Sequence, residues 1–191
     1  LFYNDWILDR VVNTLVDETR RLKGKKILIG ECGHASRSAK GFVPTFNRGE
    51  PLPVINIMEV TYELLKAGKL QLDPDVVTEK VTYHDPCNIA RKGWIIDQPR
   101  EILRAFVKNY VELTPSGRDN YCCGGGGGTV SLDEIYSFRM EIAGRKKAEQ
   151  IRATGADIVV APCANCKKQI REILAYHKVP AQLVGLHDLI F

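Results

Sequence analysis

The chain's capacity for chemistry lies in six cysteines: Cys32, Cys87, Cys122, Cys123, Cys163 and Cys166. The last five form one ordered series, C-x34-CC-x39-C-x2-C. Thiolates bind zinc and iron–sulfur clusters. An even cysteine count also invites a disulfide framework. Against it, nothing in the chain reads as secreted, and 191 residues can build a core without covalent staples. Zinc prefers four ligands, whereas the series offers five, two of them adjacent. Iron held as a cluster is the better match, with zinc as its rival. A thioredoxin-like reading of "CANC" alone ignores Cys87 and the adjacent pair. Five glycines, 124–128, follow that pair. Such a run gives up much backbone entropy on folding. These glycines, with Gly124 and Gly125 as the cofactor-binding pair, are expected to let the backbone wrap a bulky inorganic group and turn N–H groups toward it, where side chains would collide with it.

The elements that must position these sulfurs follow from periodicity. Residues 5–22 carry apolar positions at helical spacing, with Asp5 as a cap. "KKILIG" (25–30) reads as a buried strand, and "ECGHASRSAKGF" as a helix or loop leaving it. Residues 38–54, with Pro44, Pro51 and Pro53, read as an irregular connection. A helix is expected over 55–70, a strand ending near Tyr83, a helix over 98–110 with Pro99 in its first turn, and a strand at "VELTP". One long helix is expected from a Ser131/Glu134 capping box to Gly155. The strand "ADIVVA" then leads into a helix that starts at the last two cysteines. Strands alternating with helices predict an α/β fold with Rossmann-like parallel sheets. Cys32, Cys87 and Cys163 each follow a strand, and ligands of open α/β sheets gather at strand C-terminal ends. "KGKKILIGECGH" and "TGADIVVAPCANC" read alike: each is helix, Gly, strand, cysteine. That similarity predicts two pseudo-repeated halves. Residues 1–54 are then the tail of a first, degenerate half plus a connection, and 55–191 the complete half carrying the cluster site.

Other features bound the function. The formal charge is +4, and the runs "KGKK" and "RKK" read as solvated faces. Without an arginine-rich helix or a basic aromatic strand, nucleic acid is excluded as a partner, while an anionic protein partner is compatible. Apolar stretches are too short to cross a bilayer. The chain opens on Leu1 rather than Met, so an upstream part is expected. Near the cysteines, His34 and His84 are candidate proton donors for disulfide reduction. For His84 a hydrogen bond that fixes its loop is the plainer role. Arg37 and Arg91 are candidates for holding negative charge, or simply surface residues. His177 and His187 read as incidental.

The five-cysteine series, with "HDPC", "CCGGGG" and "APCANC", resembles the CCG cysteine-rich domain. That family is found in heterodisulfide reductase catalytic subunits, in glycolate and lactate oxidase iron–sulfur subunits and in anaerobic glycerol-3-phosphate dehydrogenase. The resemblance covers roughly residues 80–191. The wording "IGECGHASR" with "VTYHDPCNIARKG" looks most like the DsrK-type subunits of the membrane complex linked to dissimilatory sulfite reductase, with the Hmc and Tmc complexes as close competitors. The resemblance implies a non-cubane [4Fe–4S] cluster held by Cys87, Cys122, Cys123, Cys163 and Cys166. It implies reduction of a di- or trisulfide on a small DsrC-like protein, in dissimilatory sulfur metabolism. Quinol-derived electrons would arrive from a membrane cytochrome b-type subunit. The protein would be cytoplasmic, attached to the inner membrane through its partner subunits. The alternative is an electron-relay subunit of a lactate, glycolate or glycerol-3-phosphate oxidase. Family members often carry two complete series. Here the first half has only Cys32, with Ala35 where a second cysteine would stand. Cys32 is therefore a candidate for contacting the substrate sulfur, or else a buried free cysteine.

Overall fold

A computed structural model describes residues 4–50 and 52–190; residues 1–3, Pro51 and the terminal Phe191 lie outside the described residues. Two parallel sheets are flanked by helices, as the alternation predicts. The smaller pairs β1 (Ile27–Ile29) with β2 (Val54–Asn56). The larger has the order β4-β3-β5-β6, built from β3 (Val77–Tyr83), β4 (Val107–Glu112), β5 (Ile158–Val160) and β6 (Gln182–Val184). All its pairings are parallel. From β3 the chain crosses to β4 on one side, then returns to lay β5 on the other. The crevice between the C-terminal ends of β3 and β5 is therefore the topological switch point, where open α/β sheets bind their ligands.

Both sheets are held by buried aliphatic side chains. Val81 and Val160 of the larger sheet pack with Ile89, Ile102 and Leu103, and Ile27 of the smaller packs with Val12, Val16 and Val43. Each such side chain contributes about 1.5–3 kcal/mol when fully buried. A polar clamp joins the sheets. Glu31, just past β1, accepts from the His187 backbone N–H at 2.7 Å and meets His187 Nδ1 at 2.6 Å. The other ring nitrogen of His187 lies 2.8 Å from the Thr61 hydroxyl, so this histidine is a structural link rather than incidental.

Several elements differ from their expected form. Helix α1 (Asp5–Arg21) is capped by Asn4, whose side chain accepts from Ile7 N–H at 3.2 Å; Asp5 is its first residue. Helix α2 (Gly33–Phe46) runs through Pro44, so much of the expected irregular connection is helical. The strand β2 is too short to have a readable period. It passes straight into α3 (Ile57–Lys66) through a capping box of Asn56 and Glu59. The expected boundary between residues 54 and 55 falls inside β2. Helices α4 (Cys87–Gly93) and α5 (Asp97–Arg104) follow β3. The expected helix over 98–110 thus stops early, and its last residues, Val107 to Tyr110, belong to β4.

The long helix expected over 131–155 is broken. Two 3-10 turns and the short α6 (Tyr136–Phe138) lead into a π turn, Arg139–Gly144, and only then α7 (Arg145–Thr154). Gly155 ends it in the left-handed region at φ 61°. The π turn shifts the helical hydrogen-bond pattern, and the Met140 carbonyl there meets the ring Nε2 of His177 at 2.9 Å. Helices α8 (Ala164–Tyr176) and α9 (Leu186–Ile190) complete the fold.

Candidate metal centre

Three chain segments meet at the crevice. After β3, His84, Asp85 and Pro86 lead to Cys87, the first residue of α4. After β5, Cys163 is the N-cap of α8, and Cys166 lies in its first turn. The loop carrying Cys122 and Cys123 closes the third side. All five sulfur-bearing residues line one cavity, together with His34, Asn88, Asn165 and the backbone of Gly125 and Gly126. The Sγ atoms of Cys123 and Cys166 are 3.4 Å apart. Further sulfur contacts join Cys87 to Cys122, Cys122 to Cys123 and Cys163 to Cys166. All six cysteines are free thiols.

Cys32 is not among the cavity-lining residues. Its Sγ accepts from Ala35 N–H at 3.5 Å, as the N-cap of α2. The expected parallel with Cys163 nevertheless holds locally. The N–H of each contacts the carbonyl two residues back, Cys32 to Gly30 at 2.7 Å and Cys163 to Ala161 at 2.8 Å. The first unit reaches the cavity through Gly33, whose N–H donates to the Cys163 sulfur. A Cβ on Gly33 would lie 3.5 Å from that sulfur and 3.2 Å from Asn88 Cβ.

Shared protons set the charge on the sulfurs. Cys122 is held well below the usual thiol range because Cys123 and Cys87 donate to it, with help from Gly124 N–H. Cys163 is lowered to about 5 by a hydrogen bond from Cys166 and by the backbone N–H groups of Cys166, Gly33 and Asn165. The donors shift the other way. Cys123 rises to about 12 through its bond to Cys122. Cys87 rises through its bond to Cys122 and burial, and Cys166 through its bonds to Cys123 and Cys163.

Of the lowered pair, Cys122 is exposed and Cys163 buried. In metal-free protein, iodoacetamide should therefore label Cys122 first. Its rate should change little between pH 8 and 6, because the thiolate persists across that window. An ordinary thiol slows roughly a hundredfold there as it protonates. Mass spectrometry of timed digests reads this directly, and first labelling at Cys87 would contradict the charge pattern.

The sequence from strand end to "HDPC", "CCG" and "CANC" is what identifies the fold around these sulfurs. Residues 81–171 match the family described as the CCG cysteine-rich domain. This segment is a CCG domain. Curated relatives extend the similarity beyond it. The Hdr-like menaquinol oxidoreductase iron-sulfur subunit of Archaeoglobus profundus is 28% identical, over 91% of this chain and 38% of its own length. A second subunit of the same kind, from Archaeoglobus fulgidus, is 30% identical at the same coverage. A Methanosarcina barkeri relative, from the dihydromethanophenazine:CoB–CoM heterodisulfide reductase, is 30% identical over 81% of this chain and 37% of its own length. The chain thus spans little more than a third of the length of these relatives.

The CCG domain's donor set fits an iron–sulfur cluster better than a lone zinc ion. It has five sulfurs, where zinc takes four ligands. It has backbone N–H groups aimed at the sulfurs, as cluster sites do. Beside the sulfurs lies a buried histidine with no partner, a residue type that zinc also binds. His84 is 1% exposed, and neither ring nitrogen has a hydrogen-bond partner. Burial pushes its pKa well below the usual value, so the ring is neutral. The ring therefore does not make the loop-fixing hydrogen bond expected of it; the His84 backbone N–H does, to Val160 O at 2.8 Å.

The atoms that bar a side chain from Gly124 and Gly125 belong to the protein itself. A Cβ on Gly124 would lie 2.6 Å from Ala143 Cβ, and one on Gly125 2.7 Å from Gln169 Cβ and 2.8 Å from Val130 Cγ1. Gly124 also sits at φ 84°. Side chains are barred here by the π turn and α8, against which the loop packs, while the N–H groups remain free to face sulfur. Nothing lies within 4 Å of a Cβ on Gly126, Gly127 or Gly128.

Sequence reasoning missed the support behind the sulfurs. Asp85 is fully buried and takes both Arg100 Nη groups at 2.8 Å and Gly117 N–H at 2.8 Å. Burial opposes the Arg100 charge, but hydrogen bonds from Arg100 to Asp85 and Glu112 outweigh it and raise its pKa. The Asp85 carbonyl accepts from Asn120 Nδ2 at 2.6 Å. Asn120 in turn accepts from Lys147 at 2.9 Å. Lys147 is fully buried, its pKa lowered to about 8 by desolvation against the pull of the nearby cysteines. The signal for it is in the pattern: Lys147 shares the buried stripe of Gly144, Ala148 and Ile151. Arg91 donates to the carbonyls of Arg118 at 2.8 Å and of Asn120, so it clamps the loop before Cys122. Arg37 donates to Asn88 Oδ1 at 3.2 Å, beside the cavity.

Proposed function

We propose that this chain is part of the iron–sulfur subunit of a heterodisulfide reductase-like oxidoreductase. Its substrate would be a di- or trisulfide on a small DsrC-like protein, reduced with quinol-derived electrons delivered through a cytochrome b-type partner. Peripheral attachment to the membrane through such partners belongs to the same proposal. Among the described residues no helix is long and apolar enough to cross a membrane. The observation that carries the reading is the convergence of five thiols on one cavity at the β3/β5 crevice.

Cys87, Cys122, Cys123, Cys163 and Cys166 would hold a non-cubane [4Fe–4S] cluster, which when bound supplies one-electron chemistry at sulfur. The chain's own residues do the rest. Lys147 keeps a positive charge behind the thiolates, which favours the anionic assembly. The N–H groups of Gly124, Gly33 and Asn165 stabilise the same charge. His34 sits at the rim, half-buried, where it lines both the sulfur cavity and a neighbouring groove of about 680 Å³. That groove follows one face of α2 through Arg37, Gly41, Phe42 and Thr45, and meets Lys92 of α4. Such a track suits an apolar, negatively charged arm that brings its sulfurs to the rim. There His34 would give a proton to the departing thiolate, a role worth roughly 10²–10⁴-fold in rate.

The test uses the full-length protein, reconstituted anaerobically. Iron and acid-labile sulfide should load together, and a disulfide substrate should be reduced. His34→Gln should slow reduction by roughly 10²-fold at constant iron content. Cys32→Ala should keep its iron, and unchanged reduction there removes Cys32 from the mechanism. A protein that loads iron and sulfide but neither reduces disulfide nor changes its electron paramagnetic resonance on adding thiol is a relay subunit of the lactate- or glycolate-oxidase kind instead. Zinc in place of iron and sulfide overturns both readings.

A further inference from the structure

His34 and His84 differ in their access to the sulfurs. His34 lines the cavity at its rim, whereas His84 is not among the lining residues and is sealed beneath. A ring nitrogen of His84 and the Sγ atoms of Cys123 and Cys166 all lie within 4.8 Å of one another. The ring has little freedom to leave. Its backbone is tied to Val160, and its neighbour Asp85 is locked by Arg100 and Gly117. A neutral imidazole carries one N–H donor. Left unpaired in the interior, that donor costs about 1–3 kcal/mol. Both nitrogens lack any protein partner, and the nearby acceptors are sulfurs. Buried His84 is therefore unsuited to deliver protons to substrate, the role the sequence suggested.

We propose that His84 donates an N–H hydrogen bond to sulfur of the cluster from its closed side, and so sets the cluster's reduction potential. The proposal rests on the iron–sulfur reading above. Hydrogen bonds to cluster sulfur favour the reduced, more negative state and raise its potential. His84 is thus a positioning and tuning residue, and the proton-carrying role falls to His34.

The experiment measures midpoint potential and iron content in the reconstituted full-length protein. His84→Leu should retain iron and shift to a lower potential, and His84→Gln, which keeps an N–H donor, should recover part of the shift. Pulsed electron paramagnetic resonance of wild type with ¹⁵N-histidine should detect a weak nitrogen coupling that is lost in both variants; this measurement on wild type stands even if a variant fails to fold. An unchanged potential in an iron-loaded His84→Leu overturns the proposal. So does absence of nitrogen coupling in wild type, or a strong coupling that marks His84 as a direct iron ligand. In each of those cases the iron–sulfur reading survives. Wild type that takes up no iron and sulfide overturns that reading and this proposal with it.

Discussion

Asp85→Ala should destabilise the metal-free protein by about 3–5 kcal/mol, the cost of leaving a buried guanidinium without its carboxylate. Few substitutions in this fold should cost more. The Arg100 side chain is 8% exposed and that of Asp85 0%, so water cannot take over the lost bonds. One more contact fails with it, the Gly117 N–H, whereas the bond from Asn120 goes to the backbone carbonyl of residue 85 and stays. Urea unfolding followed by far-ultraviolet circular dichroism gives the value; a loss under about 1 kcal/mol would show that Glu112 alone can hold the arginine. Asp85→Asn should fall between, since it still accepts from Gly117 but carries no charge.

The second large effect is on metal. Cys123→Ala should lower bound iron roughly tenfold or more, beyond the loss usual for a residue that only supports ligands. Cys123 is 3% exposed and touches both Cys122 and Cys166, so it sits in the middle of the sulfur contacts. The fold should persist in its absence, because the side chain is small and Met140, Ile170 and Ile173 pack the same cluster. Iron analysis beside a thermal melt separates the two effects. Full iron retention by Cys123→Ala would mean that four thiols suffice, which is the zinc-like arrangement.

The parts legible in the sequence are those whose information is local. Cys32, Cys87 and Cys163 each follow a strand and start a helix, and the strands read from short apolar runs such as "KKILIG" and "ADIVVA". The α/β alternation reads correctly for the same reason. What is not legible depends on partners far along the chain. No pattern near β3 says that β5, rather than β4, forms the other wall of the crevice. Asp85 and Arg100 look like ordinary surface charges until α5 folds under the loop. The run of glycines suggests room for metal, yet Gly124 answers to Ala143, on a π turn that a helical period conceals. Lys147 reads as a solvated charge when its run is weighed rather than its place on the buried stripe.

The contact between Gly33 and the Cys163 sulfur has a consequence for where this chain can be cut. The smaller sheet is no passive appendage, since its outgoing helix roofs one thiolate and supplies the histidine at the rim. A version trimmed to the residues from Ile57 onward would keep all five sulfurs and still lose the ceiling above them.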